Sequence, residues 1–276
     1  VEAWRVAWEL DHLEAHRSLP STNDRARRLA AEGVGPVAAV LAEEQTRGRG
    51  RRGRSWHSPP GQGLWISFVL PAPEASGYPL APLLVGIAAA RAIDGTTGAT
   101  TGIQWPNDVL LAERKVGGVL CEAVSNERVV AGVGINVAQS EDDFPAEIRG
   151  RAGSLRTVTG MAVDRPGLAG ALVRELRDLF GGEAPPNALT GRLGDELRDR
   201  DRLLGRRVSC TVGVAGVGRG IGADGALLVE EEATGRLHRI TAGSVRPAGE
   251  GPWREERGER RDSRTRGDGC SGGGGP

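Results

Sequence analysis

Residues 47–54 read Arg-Gly-Arg-Gly-Arg-Arg-Gly-Arg, five arginines and three glycines in eight positions. Glycine lets a backbone approach a ligand closely and present successive N–H groups, and guanidinium groups supply forked donors suited to phosphate and carboxylate oxygens. Such a loop suits an anion with several oxygens. The alternative is a basic tract for single-stranded nucleic acid; the Lys-Ser/Thr ending of a Walker phosphate loop is missing. Lys115 is the second feature, a single lysine beside 35 arginines. Its compact ammonium can sit against one oxygen where a planar guanidinium does not fit. It follows Trp105-Pro106-Asn107-Asp108 and reads as part of a Gly-flanked turn.

The elements that must hold these groups follow from periodicity. Ser21-Thr22-Asn23 opens an amphipathic helix with Ala26, Leu29 and Ala30 on one face and Gly33 at its end. Residues 37–42 and 64–70 read as strands, so the Arg/Gly run is a long loop between them, and loops of that length are usually lids or binding loops. Residues 79–93 form a core helix. Short strands at 103–105, 109–112, 117–123 and 128–137 suggest an antiparallel meander with a turn at Ser125-Asn126. A helix over 164–180 aligns Leu168, Leu172, Leu176 and Leu179, and a second helix spans 189–201. From residue 203 short β segments take over, with Asp224-Gly225 as a hairpin signal, and they fit a small SH3-like barrel. The expected class is α+β: a domain over 1–202, a barrel over 203–248, and an Arg/Glu- then Gly-rich tail over 249–276 with too little apolar surface to order itself.

A formal net charge of zero and 38% hydrophobic residues describe a globular chain and give no global argument for nucleic acid or for a membrane surface. The longest apolar stretch, residues 80–92, is broken by Pro82 and Arg91, and no charged-then-apolar leader opens the chain, so a cytoplasmic location is expected. Cys121, Cys210 and Cys270 are far apart and form no Cys-x-x-Cys pair, which favours reduced, structural thiols over zinc or a disulfide framework.

Four segments in order, residues 42–59 around Gly48-Arg49-Gly50-Arg51-Arg52-Gly53, then Trp105-Pro106-Asn107-Asp108, Arg114-Lys115-Val116-Gly117-Gly118 and Gly132-Val133-Gly134-Ile135-Asn136, preceded by Ser21-Thr22-Asn23, closely resemble the biotin–protein ligases. The resemblance covers residues 15–247. It implies a mixed sheet with flanking helices related to class II aminoacyl-tRNA synthetases, with an SH3-like domain behind it. It also implies a two-step reaction: biotin and ATP give biotinyl-5′-AMP, and a lysine of a biotin carboxyl carrier protein then takes the biotin. Mg²⁺ would be bound largely through the phosphates.

By that resemblance Ser21, Thr22, Asn23 and Gln45 meet the ureido ring, joined by the backbone of Arg49, Gly50 and Arg51. Lys115 stands between the biotin carboxyl and the α-phosphate. Arg49, Arg51, Trp56, Asn107 and Asn136 contact the nucleotide, and Asp108 acts as base or orienter for the incoming amine. Arg49, Arg51, Lys115 and Asp108 form the catalytic set. On the residues alone, Ser21 is also a helix cap, Asn107 and Asn136 are also turn formers, and Asp108 is also a partner for Arg114.

Two positions depart from the family pattern. Gln104 replaces a usual lysine, a loss for which Arg47 is expected to compensate, and His57 replaces an aromatic. No helix-turn-helix segment precedes residue 15, as expected of a form without a DNA-binding role. A homodimer through a sheet edge is compatible with the resemblance. The rivals are a lipoate or octanoate ligase or transferase of the same fold, whose Arg-Arg-Gly-Gly-Gly signature is missing, and a nucleic-acid-binding module.

Overall fold

The computed structural model describes residues 1–35, 37–73, 80–125, 127–182 and 184–248. In chain order the elements are α1 (Glu2–Ala7), β1 (His12–Leu19), α2 (Thr22–Ala31), β2 (Ala38–Gln45), β3 (Gly63–Pro71), α3 (Leu80–Thr97), β4 (Gly102–Gln104), β5 (Asp108–Leu111), β6 (Arg114–Ala123), β7 (Arg128–Asn136), α4 (Leu155–Thr159), α5 (Arg165–Phe180), α6 (Gly191–Arg200), β8 (Arg207–Cys210), β9 (Ala215–Ile221), β10 (Leu227–Glu230), β11 (Leu237–Ile240) and β12 (Val245–Pro247). A seven-stranded sheet runs β1-β2-β3-β7-β6-β5-β4, and a five-stranded sheet runs β11-β10-β9-β8-β12. β1 and β2 are parallel and the other neighbours in the large sheet are antiparallel, so it is mixed. The α+β expectation holds. The tail expected over 249–276, with Cys270, lies outside the described residues, as do Pro79 and the Asn126 half of the expected turn.

Alternation along the central strands assigns the two faces of the large sheet, because successive side chains point to opposite sides. Ile66, Phe68 and Leu70 of β3 and Val129, Ala131 and Val133 of β7 belong to one large apolar core that also takes in α3 and α5. On the other face Val69 and Val130 pack with Ala26 and Leu29 of α2 in a smaller cluster. Beyond that cluster, the same face carries Ser67, Gly132, Gly134 and Asn136, a polar and small-residue floor beside the N-terminus of α2. By length and hydropathy α3 passes as a membrane span. Here it packs on α5 and the sheet, and twelve of its eighteen residues are buried, as in the core helix of a globular fold.

Four elements, α1, β1, α4 and β12, escaped the sequence reading. β1 alternates polar His12, Glu14 and His16 with apolar Leu13 and Ala15, a signal that Arg17 and Ser18 cut short; its backbone pairing with β2 makes it a strand. α1 buries none of its residues and leaves no amphipathic signature. β12 is only three residues long. Lys115, expected in a turn, lies within β6; the turn is at Ala112 and Glu113, whose φ values of 46° and 62° give a tight hairpin without the usual Asn-Gly pair.

Candidate active site

The loop between β2 and β3 folds back over the polar floor. Its two arms are tied by backbone bonds from Gly50 N to Arg54 O (2.6 Å) and from Trp56 N to Gly48 O (2.9 Å). The tip at Arg51–Gly53 is a short 3₁₀ turn in which Arg52 takes φ of 58°. Glycine on β7 makes the close approach of Trp56 possible. A Cβ at Gly134 would lie 2.5 Å from the indole nitrogen, and one at Gly132 would lie 2.1 Å from Asn23 Oδ1. Any larger residue at either position would push the loop or α2 off the sheet.

A cavity of about 1260 Å³ opens between this loop, β4–β7, residues 144–152 and residues 244–246. All twelve residues expected at the site line it: Ser21, Thr22, Asn23, Gln45, Arg49, Gly50, Arg51, Trp56, Asn107, Asp108, Lys115 and Asn136. Gln104 and His57 line it too. Arg47 does not line it and is exposed, so the structure gives its expected compensation for Gln104 no contact with the cavity. Sequence reasoning missed the stretch Phe144–Arg151 and the 244–246 segment; neither carries a motif, and both come to the cavity only through the fold.

Lys115 reaches the site through a β-bulge. Val109 pairs with Gly117 and Leu110 with Lys115, so one step along β5 spans two residues of β6. The extra residue, the fully buried Val116, moves Lys115 to the face of Gly118, away from the core face of Val119. There its Nζ lies 2.6 Å from Asp108 Oδ1 and 5.3 Å from the centre of the Trp56 ring. Asp108 therefore pairs with Lys115, while Arg114, the partner considered from sequence, pairs with Glu141. The backbone of Lys115 is pinned from the other side, its N–H donating to Arg151 O (2.8 Å) and its carbonyl accepting from Gly153 N (3.0 Å).

Charge in the loop is unevenly free. Arg49 Nη2 lies 2.8 Å from both Asp24 Oδ1 and Glu122 Oε2, so carboxylates already balance it. Arg51 donates instead to two neutral acceptors, Asn107 Oδ1 (3.0 Å) and Gly243 O (2.8 Å). Its guanidinium is partly buried, and burial pulls its pKa down from the usual arginine value. A buried cation held by neutral acceptors is poised to receive an anion.

Thr22 gives both its N–H (2.9 Å) and its hydroxyl (3.0 Å) to Gln45 Oε1, and Gln45 Nε2 donates to Ser58 Oγ (2.9 Å). Asn23 Nδ2 donates to Leu120 O and to Glu122 Oε2, and Ser67 Oγ lies 2.6 Å from Asn23 Oδ1. Ser21 stands at the N-cap of α2 and is 3% exposed, yet its hydroxyl makes no capping bond. Asn136 is engaged with Gly153 O and Gln139 Nε2, and Asn107 Nδ2 with Val119 O. Trp105 is core, as its indole N–H donates to Gly225 O (2.9 Å). Trp56 Nε1 is buried without a hydrogen-bond partner. Cys121 and Cys210 are pushed up by burial to about 12 and about 11, so neither is a nucleophile at neutral pH.

The fold and cavity define an enzyme-like site in which the cations Lys115 and Arg51 share one cavity with the polar groups of Ser21, Thr22 and Gln45. Residues 16–139 match the biotin/lipoate A/B protein ligase family. The chain is 35% identical over 237 residues to the biotin–[acetyl-CoA-carboxylase] ligase of Mycobacterium tuberculosis, covering 82% of this chain and 85% of that one. It is 39% identical over 162 residues to the bifunctional ligase/repressor BirA of Bacillus subtilis, covering 57% of this chain and only half the length of that relative. Among solved structures, the biotin protein ligase from Aquifex aeolicus in complex with biotin and ATP superposes with a TM-score of 0.74 at 29% identity, over 87% of this chain and all of that one. The chain belongs to the biotin–protein ligase family.

Proposed function

We propose that this chain is an ATP-dependent biotin–protein ligase. It would activate biotin as biotinyl-5′-AMP and pass it to a lysine of a biotin carboxyl carrier protein. The observation that carries the reading is the convergence of Lys115 and Arg51 on one cavity that Ser21, Thr22 and Gln45 also line. Polar groups there suit a urea-like head, and the cations suit a carboxylate and a phosphate.

In the first step a biotin carboxylate oxygen attacks the α-phosphorus, the bond to the β-phosphate oxygen breaks, and pyrophosphate leaves. Like charges must meet, so the chain has to supply positive field in a poorly hydrated site. In this reading Lys115 bridges the carboxylate and the α-phosphate, with Asp108 fixing its ammonium in place. Arg51 receives phosphate oxygens by exchanging its neutral acceptors for anionic ones. Arg49, Asn107, Asn136 and Trp56 contribute as walls and nucleotide contacts. In the second step a neutral carrier lysine attacks the acyl carbon and AMP leaves, with Asp108 taking the proton or orienting the amine. Mg²⁺, when bound, would be held largely through the nucleotide phosphates, where it would add positive charge.

The seven-stranded sheet with flanking helices supports a class II synthetase-like catalytic unit over 1–202. The separate five-stranded sheet supports an SH3-like unit over 203–248. A cytoplasmic location and a homodimer belong to the same proposal. Biotin-dependent exchange of labelled pyrophosphate into ATP tests the activity, with octanoate and lipoate as controls. Exchange driven by those acids and not by biotin, or no exchange at all, would overturn it.

A further inference from the structure

The polar floor and the Arg/Gly loop form one closed circuit. From Arg49 the contacts run to Glu122 (2.8 Å), from Glu122 to Asn23 (2.8 Å), from Asn23 to Ser67 (2.6 Å), from Ser67 to Thr22 (2.7 Å), from Thr22 to Gln45 (3.0 Å) and from Gln45 to Ser58 (2.9 Å). Ser58 Oγ closes on Trp56 O (3.2 Å), in the opposite arm of the same loop. Both arms are thus anchored to the pocket floor. Glu122 carries a full negative charge into that floor. It is 19% exposed, it also attracts Arg27 at 3.6 Å, and it does not line the cavity.

We propose that Glu122, assisted by Asp24, is a positioning residue: it holds Arg49, and through it the entry arm of the loop, over the polar-head end of the cavity. The inference rests on the biotin-ligase reading for its kinetic arm only. Glu122 lies outside the cavity, so its effect passes through Arg49 and Asn23. Arg49, balanced by two carboxylates, serves mainly as the tether, and Arg51, whose hydrogen bonds go to neutral acceptors, is left to meet the phosphates. A carboxylate is needed here because a neutral amide would leave the guanidinium with a weaker partner and the arm free to lift.

Three measurements separate this from a merely structural role. In Glu122→Gln, amide hydrogen exchange over residues 46–56 of the ligand-free protein should quicken about tenfold while exchange in β7 stays put. In pyrophosphate exchange the KM for biotin should rise about tenfold, with a smaller fall in kcat. In an Arg49→Met background the Glu122→Gln change should add little further to loop exchange, because the side chain through which Glu122 holds the loop is already gone. Glu122→Asp should recover part of the lost affinity. Asp24→Asn, on the half-exposed side of the pair, should reproduce the loop effect more weakly, and it stands in if Glu122→Gln does not fold. Unchanged loop exchange in Glu122→Gln, or effects that add in the double variant, would overturn the tether. Absence of biotin-dependent exchange in the wild-type chain would instead overturn the ligase reading and leave the exchange arm standing.

Discussion

Lys115 is held by three neighbours of different kinds: a carboxylate at 2.6 Å, an aromatic face at 5.3 Å and backbone pairing with residues 151–153. Arginine would keep the charge but spread it over a planar fork, losing the compact ammonium that can sit against a single oxygen. Lys115→Arg should therefore keep the fold and lose adenylation by about 30- to 1000-fold, the effect of roughly 2–4 kcal/mol of charge-assisted contact. Pyrophosphate exchange reads this directly, and near wild-type exchange would remove the bridging role. Arg51 makes a different prediction. It ties the loop to Asn107 and to the carbonyl of Gly243, so Arg51→Gly should loosen the cover over an activated intermediate. The expected result is release of activated biotin that labels bystander lysines; retained adenylation with unaltered carrier selectivity would count against the cover.

At the scale of elements, β1 is an edge strand whose inner neighbour is β2 and whose outer side is unpaired within the large sheet. Glu14 fastens it to α2 through Arg25, with Nη2–Oε1 of 2.7 Å and Nε–Oε2 of 2.8 Å, and His12 and His16 also face it. The Arg25 hydrogen bonds hold the Glu14 carboxyl down from 4.5 to about 2 against the opposing effect of burial. A carboxylate with a depressed folded-state pKa stabilises the fold fully above its unfolded value and loses that contribution as pH falls towards the folded value. The Glu14 contribution should be constant at neutral pH and disappear between about pH 4.5 and pH 2. Glu14→Gln should cost about 1 kcal/mol at pH 7 after solvent screening and flatten that acid limb of the unfolding curve. A melting-temperature difference between variant and wild type that does not shrink towards pH 2 would refute the pair.

At the scale of the molecule, the small sheet reaches into the site and the core. Arg51 bonds to Gly243, Ser244 to Arg246 line the cavity, and the buried indole of Trp105 donates to Gly225. Leu203, Val208, Leu227 and Val229 belong to the same apolar core as α3. Trp105→Phe should leave the Gly225 carbonyl unpaired and lower stability by about 1–3 kcal/mol, measured by thermal unfolding. Removing residues 203–276 should expose that apolar surface and abolish solubility or carrier transfer, whereas removing 249–276 should change neither melting temperature nor exchange. Equal damage from both truncations would move the boundary of the second unit beyond residue 248.

Local signals sufficed where the reason for a structure lies within a few residues. The leucine stripe of α5, the antiparallel meander of β4–β7 and the Asp224-Gly225 hairpin were legible because periodicity and turn chemistry act over one element. Lys115 and the arginines of the Arg/Gly loop stood out by residue type and spacing, whereas Thr22 and Gln45 came only from the family resemblance; Lys115, Arg51, Thr22 and Gln45 all line the cavity. Tertiary structure alone decided which partner each one takes. The Val116 bulge that aims Lys115, the balance of Arg49 by Asp24 and Glu122, the exclusion of Arg47 and the reach of Gly243 to Arg51 all depend on residues far apart in the chain. Charge, burial and register across strands are properties of neighbours in space, and no window of sequence contains them.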